Sequence, residues 1–242
     1  VNYIDIDIPK SGLYKNQILM LDILSKNDWE RPIYFTGGSY KDSEYIWMKD
    51  YLQLDGLVYK LVPVKTPINK ENPYQMGRIE PNRMYDIVKK WEWGNSESPS
   101  IYHDPETRKN SISFRGNLHR LAEEFIKVGN FTKAKEIIDL NFEKMPLDYF
   151  EYYSLSEPYI SSYYKIGELE KAQKLFKDLE KKYLDHIKYY SSSMINYEEL
   201  FPVSEFAENI FTYTERYRGL IENEIILGNY DFVSESIENF IK

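Results

Sequence analysis

The chain has 242 residues, a formal net charge of −8 and no cysteine. That length holds one large domain or two modest ones with a real core, and the acidic balance, with no pronounced Lys/Arg run, argues against a nucleic-acid partner. The missing thiols remove disulfides, thiolate metal sites and cysteine nucleophiles together, and the apolar runs, such as Ile18-Leu19-Met20-Leu21, are too short to span a bilayer.

No signal peptide opens the chain, which starts at Val1 without a methionine. The expectation is a piece of a longer protein, with any membrane segment lying upstream of it. Tyr3 to Ile8 alternates with period two and reads as a half-buried strand ended by Pro9. Asp5 and Asp7 then read as that strand's solvent face rather than as metal ligands. Asn16 to Lys26 is apolar on one helical face. Arg31 to Thr36 reads as a strand running into Gly37-Gly38, which lacks the spacing of a phosphate loop and reads as a tight turn. Ser43 to Leu54 is helical in pattern, and LVYKLVPV after Gly56 is a third strand. Residues 65–80 read as a loop. Pro81 suits the first turn of a helix with Met84, Ile87, Val88 and Trp91 inside, and Trp93 to Arg108 is turn-rich.

Beyond residue 110 helical periodicity takes over, and the chain repeats itself. Gly129-Asn130-Phe131, Gly167-Glu168-Leu169 and Gly228-Asn229-Tyr230 occupy equivalent places between paired helical segments. The second follows the first by 38 residues, and the third follows after 61, which predicts an insertion. Leu118, Leu121, Ala122, Phe125, Gly129, Phe131, Ala134, Ile138 and Pro146 resemble the tetratricopeptide repeat, a helical hairpin of about 34 residues. The small residues Ala122 and Ala134 suit a close helix crossing, and Ile160 and Val233 stand where alanine is usual. The reading is an α+β N-terminal half, a small domain or cap over 1–110. An all-α tetratricopeptide-like hairpin array follows over 111–242 (about 115–146, 153–185 and 204–242), so the chain is mainly α overall.

None of the three histidines, His103, His119 and His186, pairs at a metal-ligand spacing. No G-x-S-x-G elbow occurs, and Ser191-Ser192-Ser193 reads as a loop or helix start. No cofactor or metal is expected. The stronger candidate is a surface, because repeat stacks of this kind hold partners on the inner face of their first helices. Those positions are His119, Glu123 and Lys127 in the first copy. They are Glu157, Ser161, Tyr164 and Lys165 in the second, and Arg218 and Glu222 in the third. Mixed charge with an open aromatic wall at Tyr164 suits protein, peptide or glycan contact.

Trp29-Glu30-Arg31-Pro32-Ile33-Tyr34-Phe35 and Tyr51 through Pro63, with Trp93-Gly94-Asn95 ahead of Phe114-Arg115, resemble a known signature set. It is that of the C-terminal soluble part of the bacterial membrane-protein family called domain of unknown function 2723, also classed as glycosyltransferase family 117. The resemblance is best over residues 14–146. It implies a multi-spanning N-terminal portion similar to protein O-mannosyltransferases, which would carry the catalytic carboxylate, so no catalytic residue is carried over to this chain. It implies a non-catalytic accessory or interaction domain on the periplasmic face of the inner membrane, joined to the membrane only through a segment absent here. A stand-alone repeat scaffold for protein binding is the alternative. A second alternative is a soluble enzyme with a site assembled within 1–110, around Arg31, Asp50, Asp55 and His103.

Overall fold

A computed structural model describes residues 6, 12–36, 48–67, 75–196 and 203–241. The strand expected over residues 3–8, the paired Asp5 and Asp7, and Gly37-Gly38 lie outside these residues. The order is α1 (Lys15–Lys26), β1 (Tyr34–Thr36), β2 (Leu52–Asp55), β3 (Val58–Leu61), α2 (Pro81–Val88), α3 (Pro105–Lys127), α4 (Phe131–Lys144), α5 (Leu147–Phe150), α6 (Pro158–Lys165), α7 (Leu169–Asn196), α8 (Val203–Ile226) and α9 (Tyr230–Ile241). This is an α+β start followed by a helical array. The chain divides into two compact units. One comprises residues 1–102 and 113–144, so the first hairpin groups with the sheet. The other comprises 103–112 and 145–242.

In the first unit the strands form one antiparallel sheet in the order β1-β3-β2. Asp55 pairs with Val58 across a two-residue turn at Gly56-Leu57. Gly56 has φ +73° there, in the left-handed region that a first central glycine supplies at little cost. The helix expected over 43–54 is corrected in its described part: Lys49–Tyr51 is one 3-10 turn and Leu52–Asp55 is strand. A short apolar run cannot be told from a buried helix by periodicity, and the partners decide. The outer edge of β2 is itself paired, with Leu54 N–H donating to Arg78 O at 2.8 Å and Arg78 N–H to Leu52 O at 2.9 Å. Leu52 and Leu54 have no accessible surface.

Helix α1 forms as its pattern predicts, and Gln17 Oε1 accepts from Tyr14 N–H at 3.0 Å at its start. Its apolar residues Ile18, Leu19 and Ile23 are nevertheless exposed, and Gln17 is the buried position. Helix α2 begins at Pro81, with Glu80 Oε2 accepting from Arg83 N–H at 2.7 Å, and buries Met84 and Val88. Asp55 is buried and bound by Arg83 Nε and Gln53 Nε2, both at 2.9 Å. The first hairpin joins this layer through polar ties: Asn117 Nδ2 donates to Gly56 O at 2.8 Å. Phe114 packs edge-on to Trp91, ring centroids 5.1 Å apart.

The three repeats turn in the same way. Gly129, Gly167 and Gly228 have φ of +74°, +81° and +84°. In each, the glycine N–H donates three residues back, to Ile126, Tyr164 or Ile225. The next N–H donates five residues back, to Phe125, Tyr163 or Glu224. This paired closure satisfies the last helical carbonyls and favours glycine. In the second unit, α6, α7, α8 and α9 pack in sequence around Tyr159, Phe176, Tyr183, Tyr217 and Val233. The insertion between the second and third glycines is taken up largely by helix length, 28 residues in α7 and 24 in α8.

Candidate binding cleft

Three of the nine surface positions expected from sequence come together on one wall. His119, Glu123 and Lys127 lie four residues apart along α3, on a single helical face. They line a cleft of about 720 Å³. Its facing wall comes from the sheet's margin: Val64, Thr66, Gln75, Gly77, Arg78 and Ile79. That wall is held by the backbone pairing of Arg78 to β2 and by Arg120, which donates to Met76 O at 2.9 Å and to Gly77 O at 2.7 Å. Burial pulls the Arg120 guanidinium below its usual pKa, against the opposing effects of Tyr59 and Glu124. Around the rim, His119 Nε2 stands 3.9 Å from Glu123 Oε1, and Lys127 Nζ donates to Glu124 Oε1 at 2.6 Å.

The cleft therefore presents donors (Arg78, Lys127, Gln75) and acceptors (Glu123, Glu124) side by side. The lining is mostly polar, with Val64 and Ile79 as its apolar side chains. Among the described residues, no group of three His, Asp or Glu side chains is placed to hold a metal ion.

The other six positions lie in the second unit. Glu157 is half-buried, accepts from the Tyr183 hydroxyl and has Arg216 Nη1 at 3.6 Å. Burial raises its pKa, against the opposing effects of Tyr183 and Arg216. Tyr164 is half-buried and donates to Glu224 Oε2 at 2.7 Å. Its hydroxyl is thus a tie between α6 and α8, which corrects the expectation of an open aromatic wall. Helical spacing assigns a face but not the partner that arrives against it. Ser161 is half-buried and Lys165 exposed. Arg218 pairs with Glu222 one turn on and with Glu215 Oε2 at 2.7 Å, so these charges form an exposed network along α8. Of the residues proposed for a soluble enzyme, Asp55 is consumed by Arg83 and Gln53. His103 belongs to the second unit, against Phe150 at 4.7 Å between ring centroids.

The sheet-side wall, with Arg120, was missed by sequence reasoning. Its residues follow no period, and it becomes a wall only through tertiary docking onto α3. A family model described as TMEM260-associated domain 2 matches residues 1–83, and this stretch includes that sheet-side wall. No curated protein and no solved structure matches the chain.

Proposed function

We propose that this chain is a non-catalytic interaction domain of a larger membrane glycosyltransferase-like protein, and that it holds an acceptor protein, peptide or glycan in the cleft on α3. The observation carrying this reading is the convergence of His119, Glu123 and Lys127 on a wall whose opposite side lies within the stretch matching the TMEM260-associated family. The finer placement, beside the bacterial family of unknown function 2723 and on the periplasmic face of the inner membrane, rests on the signatures around Trp29 and Tyr51. A hairpin array coupled to a polar cleft suits positioning a partner better than bond chemistry. Fractionation of the native cells, with immunoblotting by an antibody raised against this chain, tests the reading. A band much larger than 29.0 kDa in the membrane fraction is the expected result. A soluble band near 29.0 kDa overturns it in favour of a free-standing repeat scaffold.

A further inference from the structure

A second cleft, of about 340 Å³, opens where α1 gives way to β1. Its volume is at the small end of the roughly 300–1,000 Å³ range of small-ligand sites. Trp29, Arg31, Pro32, Lys60 and Pro63 are among its lining residues. The turn that forms its lip is unusual: Asp28 and Trp29 are consecutive non-glycine residues in the left-handed region, with φ of +45° and +60°. Such conformations are costly and cluster where a ligand is clamped. The turn is stiffened from within. Glu30 N–H donates to Asn27 O at 2.9 Å, and Asn27 Nδ2 donates to Arg31 O at 2.8 Å. What it presents is the Trp29 indole, 50% exposed.

On a chain of net charge −8, two cations share this small cleft with one carboxylate, Glu30. Among the described residues neither Arg31 nor Lys60 is engaged in an ion pair. Pro32 and Pro63 remove two amide donors that an extended peptide main chain would use. They leave flat apolar flanks beside the indole, whose negative face attracts the polarised C–H bonds of an alicyclic ring. We infer that this cleft binds a carboxylate-bearing sugar ring, its face on Trp29 and its carboxylate held by Arg31 and Lys60.

Titration of the full chain with glucuronate, followed by tryptophan fluorescence and by calorimetry, tests this. Glucuronate should bind saturably, more weakly as salt screens the pair, and glucose should bind about tenfold more weakly or worse. Arg31→Gln, Lys60→Gln and Trp29→Ala should each weaken glucuronate about tenfold with the thermal midpoint unchanged. If Trp29→Ala lowers that midpoint, Trp29→Phe, which keeps a ring face, should retain most of the affinity. No saturation, equal binding of glucose, or affinity untouched by the cation variants would overturn the inference. So would equal or tighter binding of a tetraglutamate peptide, which would assign the cations to acidic protein instead.

Discussion

Ala134 has no accessible surface on α4, and Ala122 is equally buried on α3. A well-packed crossing has no room for three more heavy atoms, and overpacking typically costs about 1–3 kcal/mol. Ala134→Leu should lower stability by that amount, read from the denaturant midpoint. Tyr164 makes a different kind of contact. Its hydroxyl and Asn229 Nδ2, each at 2.7 Å, supply Glu224 Oε2, while Glu224 Oε1 has no hydrogen-bond partner. Tyr164→Phe keeps the ring and removes one of two donors from a carboxylate that is 1% exposed. Stripping a buried acceptor costs about 1–3 kcal/mol, so this variant should unfold at clearly lower denaturant concentration. A midpoint equal to wild type would return Tyr164 to the groove that its spacing suggested.

At the scale of elements, the turns are the most sequence-determined feature. Gly167 sits at φ +81°, where a side chain has open space but the backbone is strained. Left-handed residues with a Cβ cost about 1–2 kcal/mol, and Gly167→Ala should lose that much by chemical denaturation. The hairpins were legible because glycine, the small residues Ala122 and Ala134 and a 3.6-residue apolar period all act locally. Pro81 marked α2 for the same reason. Strand β2 was not legible, since its four residues gain their identity from β3 and Arg78 rather than from a pattern of their own. Helix α1 was legible from its apolar face, but that Ile18, Leu19 and Ile23 of that face are exposed was not. For the candidate cleft, one wall followed from helical spacing, and the other depended on which loop docks against α3.

At the scale of the whole molecule, the second unit has a recurrent device: a helical tyrosine donating to a glutamate on, or at the start of, another helix. Tyr164 meets Glu224, Tyr183 meets Glu157 and Tyr217 meets Glu180. Burial, reinforced by the neighbouring carboxylate, raises the pKa of all three tyrosines. An acid whose folded pKa exceeds its unfolded value stabilises fully below the unfolded value, here about 10. That stability is lost as pH rises through about 10 toward the folded values. The second unit should therefore weaken in alkali, and hydrogen exchange or a denaturant series from pH 8 to 11 would register it. Glu157, also raised, adds no weakness in acid: its ionisation is the unfavourable step, so its contribution grows as pH falls. An unchanged midpoint between pH 9 and 11 would count against the three ties.

The segment 103–112 groups with residues 145–242, although 113–144 groups with the N-terminal half. It brings His103 against Phe150 and pairs Arg108 Nη1 with Glu151 Oε1 at 2.5 Å. The two units are thus interleaved along the chain. A ribosome delivers residues 103–112 well before the sequence they join, and the chain that completes the first unit, 113–144, is made in between. No single cut separates the two units, and a fragment started at residue 111 would lack most of 103–112 while carrying 113–144 without the N-terminal residues it groups with. Any excision for a smaller working protein has to respect a braided order rather than a boundary.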